Sequence, residues 1–238
     1  SLQQVDSKYP ARFFASKKKS NWMKRHVKDA FVRQANDEGH VSRSYYKLQQ
    51  MNDKQKLISP KTKLVVELGA APGGWTSYVS KYVGADGTLV AIDLLPLDPR
   101  VIKHLSTCPC TFHVLQGDFK SEDIRKQLNT ILDGKKADLV LSDMATNFTG
   151  DSSTDALRTM SLVESALELS IHDLLATNGT FVAKYFSCAD EVELKEYARR
   201  YFVTCKTVKP PASRKQSAER YLIATGFQPN KSSNNNDT

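Results

Sequence analysis

Four strand-length apolar runs in this chain stop at, or just short of, a glycine loop or an aspartate. Leu64-Val65-Val66-Glu67-Leu68 runs into Gly69, Leu89-Val90-Ala91-Ile92 into Asp93, Phe112-His113-Val114-Leu115 toward Gly117-Asp118, and Asp138-Leu139-Val140-Leu141-Ser142 into Asp143. Short continuous apolar runs suit strands buried on both faces, the environment of a parallel sheet covered by crossover helices. Helical periods surround them: Lys24 to Gln34, Ser42 to Met51, Trp75 to Tyr82, Asp155 to Leu175 and Glu191 to Arg200. Asn178-Gly179 punctuates before a strand at Thr180 to Phe186, and Phe202 to Val208 and Arg220 to Thr225 close the chain as strands. Strands alternating with helices predict an α/β fold: an open, mostly parallel sheet with helices on both faces. One domain, 21–227, is expected between a disordered basic segment, 1–20, and a disordered Asn-rich tail, 228–238.

In such sheets ligands bind beyond the carboxyl ends of the strands, where strand order reverses. Gly69-Ala70-Ala71-Pro72-Gly73-Gly74-Trp75 occupies that position after the first strand. Its small residues let backbone approach a ligand closely, although a bare pattern of this kind also reads as a tight structural turn. The spacing is not G-x-G-x-x-G, which disfavours a dinucleotide. Asp93 lies at the distance past the loop where an acid accepts hydrogen bonds from a ribose diol, and Asp118 is placed to meet an adenine amino group. Any one of these aspartates is equally a helix cap. Together they predict a site for an adenosine-bearing cofactor without a pyrophosphate.

The charge balance points to a polyanion. Lys and Arg number 34 against 26 Asp and Glu, for a formal charge of +8. Between Lys8 and Arg33 lie nine basic residues and a single acid, Asp29. Such a cluster reads either as a solvated tail or as a nucleic-acid contact, the latter helped by interleaved Trp22, His26 and Phe31. A second basic stretch comprises Lys206, Lys209, Arg214, Lys215 and Arg220. No apolar run is long enough to cross a bilayer, so no membrane role is expected. The four cysteines, Cys108, Cys110, Cys188 and Cys205, lack zinc-site spacing and read as reduced thiols in a reducing compartment. No metal site is expected.

The motif string resembles the FtsJ/RrmJ (RlmE) family of ribosomal RNA 2'-O-methyltransferases. It consists of Val65 to Trp75, Asp93-Leu94-Leu95-Pro96, Gln116-Gly117-Asp118-Phe119 and Ser142-Asp143-Met144-Ala145. Arg43-Ser44-Tyr45-Tyr46-Lys47-Leu48, Lys184 and Ser217-Ala218-Glu219-Arg220-Tyr221 extend it over about residues 21–227. The resemblance implies a Rossmann-like class I S-adenosyl-L-methionine-dependent methyltransferase fold with a seven-stranded sheet. It implies cofactor contacts from Gly69, Pro72, Gly73, Gly74, Trp75, Asp93, Asp118 and Asp143. It further implies a catalytic tetrad of Lys47, Asp143, Lys184 and Glu219, acting on an A-loop uridine of large-subunit ribosomal RNA on the assembled subunit, by a monomer. Lys184 is expected to accept the ribose proton, with Asp143 orienting it and Lys47 and Glu219 holding the ribose. Burial and nearby cations lower a lysine pKa while Asp143 or Glu219 would oppose that shift, so the balance stays open.

Two positions depart from the family pattern: Thr146 replaces a proline, and Ser187-Cys188 replaces Gln-Gly. They keep open a non-catalytic ribosome assembly factor, and transfer RNA is an alternative substrate. A nicotinamide dehydrogenase is disfavoured by the glycine spacing. A base N-methyltransferase is disfavoured by Ser142-Asp143-Met144-Ala145, where an Asn/Asp-Pro-Pro-Tyr type of loop would be expected. Arg12-Phe13-Phe14-Ala15-Ser16 resembles the end of a mitochondrial presequence, which makes the matrix the expected location; Asp6 argues against this, and a bacterial or general cytoplasm is the alternative.

Overall fold

The computed structural model describes residues 29–145, 149–187 and 190–229. The basic run up to Lys28, the Arg12 to Ser16 string, Thr146, Cys188 and the Asn-rich tail from residue 230 lie outside the described residues.

Seven strands form one sheet in the order β3-β2-β1-β4-β5-β7-β6. They are β1 (Leu64–Leu68), β2 (Thr88–Asp93), β3 (Thr111–Gln116), β4 (Ala137–Ser142), β5 (Leu175–Phe186), β6 (Phe202–Val208) and β7 (Glu219–Phe227). β7 runs antiparallel to both β5 and β6, and the other pairings are parallel. Strand order reverses between β1 and β4, where the chain leaves one half of the sheet to build the other.

Alternating side chains send each strand into two separate cores. Val66 and Leu68 face one layer with Val140, Phe181 and Leu222, while Val65 faces the other with Leu139, Val182 and Tyr221. β1 is buried along its whole length. That two-sided burial explains its unbroken apolar sequence and makes the acid within it, Glu67, conspicuous.

Helices α1 (Ala30–Asp37), α2 (Ser44–Gln55), α3 (Gly74–Val79) and α4 (Pro99–Leu105) are followed by α5 (Glu122–Leu132), α6 (Ser152–Leu169) and α7 (Glu191–Arg199). Residues of α2, α3 and α4 pack into the second core, and those of α5, α6 and α7 into the first. α4, of seven residues, and α5, of eleven, were not expected from hydrophobic period, but their caps are legible. Asp98 caps α4 ahead of Pro99, and Ser121 caps α5 ahead of Glu122 and Asp123.

Two expected boundaries move. Of the expected amino-terminal helix, Lys24 to Gln34, only Asp29 onward lies within the described residues; there Asp29 is extended, its side chain accepts from Phe31 N, and a helix begins at Ala30. The helix expected to reach Leu175 ends at Leu169 and passes through a π-turn, Ser170–Leu174, in which the Ser170 hydroxyl donates to Ala166 O at 2.6 Å. Leu175 already pairs with Ala137, and the next β4–β5 pairing is Leu139 with Thr180. Asn178-Gly179 thus marks an irregularity inside β5, with Asn178 at φ +67°, and not a break before it.

Candidate active site

The strand ends meet in one cavity of about 960 Å³. One wall comes from Gly69, Ala71 and Pro72 after β1, Asp93, Leu94 and Leu95 after β2, and Gly117 to Lys120 after β3. Gly69 has φ +76°, and a Cβ there would stand 2.9 Å from the backbone of Met144, so the chain passes this point only as glycine. Gly73, at φ +109°, would place a Cβ 2.8 Å from Val101.

Asp93 fastens two loops. Its Oδ2 accepts from Ala71 N at 2.8 Å and its Oδ1 from Leu95 N at 2.8 Å. The carboxylate is therefore oriented before any ligand arrives, and an anionic oxygen retains lone pairs for a hydroxyl donor. Asp118 is exposed, with Oδ1 accepting from Lys120 N at 2.9 Å. Gly73, Gly74 and Trp75 do not line the cavity. Trp75 is 1% exposed and donates from Nε1 to Ser44 O at 2.9 Å, joining α3 to α2.

At the other end of the cavity two buried ion pairs face it. Lys184 Nζ stands 3.0 Å from Asp143 Oδ1 and donates to Asp143 O at 2.5 Å. Lys47 Nζ donates to Glu219 Oε2 at 2.7 Å, and Ser213 donates to Glu219 Oε1 at 2.5 Å. All four expected catalytic side chains line this one cavity. They arrive from four different elements: α2, the end of β4, β5 and the start of β7.

The placement has local causes. Lys47 lies on the buried face of α2 beside Tyr46, Leu48 and Met51. The β6–β7 loop is pinned to that helix, since Ala212 N donates to Gln50 Oε1 at 2.7 Å and Arg43 donates to Ala212 O. This pinning brings Glu219 onto Lys47. Burial raises the Glu219 carboxyl pKa, but Lys47, Ser213 and Lys184 together outweigh it and hold the group below its ordinary value.

Two further groups were not expected from sequence. Tyr221, fully buried on β7, donates to Asp143 Oδ1 at 3.2 Å, and Lys47 Nζ lies 5.8 Å from its ring centroid. Its pKa is well above the ordinary value, first through burial and then through Asp143 and Glu219. Glu67, beneath the glycine loop, is 1% exposed and accepts from Thr76 Oγ1 at 2.7 Å. Burial pushes its pKa up to about 8, opposed by the Thr76 hydrogen bond and reinforced by Asp143 and Asp93. An acid inside an otherwise apolar strand was the available signal. Arg43 and Arg214, which also line the cavity, share the carboxylate of Asp29.

Of the second basic stretch, Arg214 alone lines the cavity. Lys209 instead donates to Lys215 O and Ser217 O, and Arg220 to Glu219 O. Phe31 packs on Tyr46 with ring centroids 5.8 Å apart, while Trp22 and His26 lie outside the described residues. Cys108 and Cys110 are free thiols. Among the described residues no group of three or more His, Cys, Asp or Glu is arranged to hold a metal, and no helix is long and apolar enough to cross a membrane.

A doubly wound sheet with one antiparallel strand at β7, a glycine loop after β1 and acids after β2, β3 and β4 defines a Rossmann-like methyltransferase. Residues 40–227 match the FtsJ-like methyltransferase family, and the chain belongs to it. It is 42% identical over 213 residues to the ribosomal RNA large subunit methyltransferase E of Marinobacter nauticus, covering 90% of this chain and 98% of that protein. The protein of the same name from Dichelobacter nodosus is 41% identical over 215 residues, covering 89% and 96% respectively. A crystal structure of a ribosomal RNA methyltransferase from Plasmodium falciparum superposes with a TM-score of 0.64 at 25% identity, over 78% of this chain and 97% of that one.

Proposed function

We propose that this protein is an S-adenosyl-L-methionine-dependent 2'-O-methyltransferase of large-subunit ribosomal RNA, acting on an A-loop uridine. The observation that carries this reading is the arrangement of two buried Lys–carboxylate pairs at one end of a cavity whose other end presents Asp93 and Asp118. The relatives' names supply the RNA class, and the formal charge of +8 is consistent with a polyanionic substrate.

The residues fit the cofactor. Gly69 leaves room beside Met144 that a side chain would fill, and Asp93 offers a pre-oriented carboxylate for a ribose diol. Asp118, exposed at the cavity wall, would take an exocyclic amino group. When bound, S-adenosylmethionine supplies an electrophilic methyl on a cationic sulfur, so the protein need only position a ribose hydroxyl and accept its proton.

Lys184 is the acceptor in this reading. Its Nζ has two neighbouring acceptors, both on Asp143, at 2.5 and 3.0 Å. Two N–H bonds directed at them leave the remaining tetrahedral position for the cavity. In the amine that position is a lone pair, and after transfer it holds the ribose proton. Lys47 and Glu219 hold the sugar edge, with the Glu219 carboxylate kept ionised by its cationic neighbours.

The test is transfer of labelled methyl from S-adenosylmethionine to undermethylated large ribosomal subunits, followed by nucleotide mapping, with Lys184→Ala alongside. Label on one A-loop ribose, lost in the variant, is the expected result. Label on transfer RNA instead, or cofactor binding without turnover on either RNA, overturns it; the latter outcome would identify a non-catalytic assembly factor. We propose the mitochondrial matrix as the location, a reading supported by the Arg12-Phe13-Phe14-Ala15-Ser16 string, with a bacterial or general cytoplasm as the alternative. A fluorescent fusion that stays cytosolic would sink that location.

A further inference from the structure

The only acid in the basic run from Lys8 to Arg33 is Asp29. Its carboxylate meets two arginines that line the cavity. Oδ2 pairs with Arg43 Nη1 and with Arg214 Nε, the latter at 3.3 Å, while Oδ1 accepts from Phe31 N at 3.1 Å and caps α1. Arg43 precedes α2 and Arg214 sits in the β6–β7 loop, so two guanidinium groups from distant parts of the chain converge on one oxygen. Both arginines line the cavity that also holds Lys47 and Glu219. Arg43 lies within the electrostatic reach of both Arg214 and Glu219.

The two guanidiniums converge on one carboxylate oxygen, Asp29 Oδ2. Planar donor forks of this kind match the two free oxygens of a phosphodiester, and arginine is the side chain suited to such recognition. The Asp29 side chain is 12% exposed, as befits a group seated in a site and not one trailing in solvent.

We propose that Asp29 is a built-in stand-in for an RNA phosphate: its carboxylate holds the seat between Arg43 and Arg214 in the free protein, and a phosphodiester of the substrate strand displaces it. The inference rests on the reading of RNA as substrate. It assigns the seat to a phosphate near the target ribose, because the same cavity holds the Lys47–Glu219 pair. The capping contact uses the other carboxylate oxygen, so α1 keeps a cap available when the seat changes hands. Displacement exchanges one anion for another at the arginines.

The experiment is titration of a synthetic, unmethylated A-loop RNA fragment against the full chain, Asp29→Asn and Asp29→Ser, by anisotropy across a salt series. Asn and Ser both serve as helix caps, so either variant removes the competing charge while keeping α1 capped. Affinity for S-adenosylmethionine and the melting temperature report whether the fold is intact. Tighter RNA binding by about threefold to tenfold at low salt is expected in both variants, since the phosphate no longer has to displace a carboxylate from the arginines. The slope of log affinity against log salt should steepen by about 0.7, one additional phosphate contact on a single strand. A purely structural clip predicts the opposite: binding unchanged or weaker in both folded variants would overturn the proposal while leaving the functional reading intact. Failure of every protein, the parent included, to bind the fragment would overturn both.

Discussion

Lys184 and Tyr221 stand opposite each other in the β5–β7 register, and both reach the same oxygen, Asp143 Oδ1, at 3.0 and 3.2 Å. The antiparallel β7 thus delivers a phenol and the parallel β5 an amine to one carboxylate, which hangs from the end of β4. A single acceptor held from two sides cannot rotate away without leaving a buried donor unpaired, and that penalty fixes the geometry of the lysine.

Tyr221→Phe removes one of those two donors. The loss should lower kcat by about tenfold, through looser placement of Lys184 and Asp143, with KM for S-adenosylmethionine little changed. Stability should fall by about 1.5–3 kcal/mol, the worth of a hydrogen bond to a charged group, with Lys184 still holding the carboxylate. Steady-state kinetics beside a denaturant melt would check both. Unchanged kcat with a lowered melt would limit Tyr221 to a structural role.

Lys47 and Glu219 form a buried pair, so removing one partner strands the other. Lys47→Met should destabilise the protein by about 3–5 kcal/mol, and Lys47→Met with Glu219→Leu by much less. The pH dependence follows from the lowered Glu219 pKa. A carboxyl with a depressed folded-state pKa contributes stability that is present above its unfolded value, near 4.5, and lost as pH falls through the folded value. Urea melts between pH 3 and pH 6, a window of about these values, should show that acid-side loss shrink in the Lys47→Met protein.

Glu67 behaves in the reverse sense. With its folded pKa raised to about 8, it stays protonated at neutral pH, and stability falls as pH rises from about 4.5 toward 8. Glu67→Gln keeps a neutral group of similar shape and removes this dependence, flattening a decline of roughly 3–5 kcal/mol across that window. An equally steep decline in the variant would mean that another group is responsible.

Asp93 accepts two backbone donors with two different oxygens. Asp93→Asn offers one acceptor and one donor where two acceptors are needed, so one loop must detach. Affinity for S-adenosylmethionine, read by calorimetry, should fall at least about tenfold, a loss of roughly 1.4 kcal/mol. The melting temperature should fall too, because the β1 and β2 loops lose their shared anchor. Full retention of cofactor affinity would remove Asp93 from the binding site.

Much of the architecture was legible because burial writes itself into sequence. The unbroken apolar runs of β1, β2 and β4 reflect strands covered on both faces, and the acids and glycines at their ends mark where that cover stops. The helix α4 escaped because seven residues are too few to define a period, whereas α5, with Ile124, Leu128 and Leu132 at helical spacing, was legible and overlooked; Asp98-Pro99 and Ser121-Glu122 announced both starts. Trp75 illustrates a different limit. Its neighbours in the glycine loop pointed toward the cofactor, yet its ring fills the space between α3 and α2, which no local pattern could indicate.

The sequence by itself determined the class of fold, the positions of the strand ends and the identity of the charged groups available there, since strand burial and loop chemistry are local properties. Only the tertiary structure decided who pairs with whom. Lys47 meets Glu219 across 172 positions, Lys184 meets Asp143 across 41, and Asp29 takes up Arg214 across 185. Such pairings depend on sheet order, on an antiparallel β7 inserted between β5 and β6, and on a loop pinned to α2. A charge in a chain has many possible partners; a buried charge in a folded protein must have a particular one, because leaving it alone in a low-dielectric interior costs more than the fold can spare.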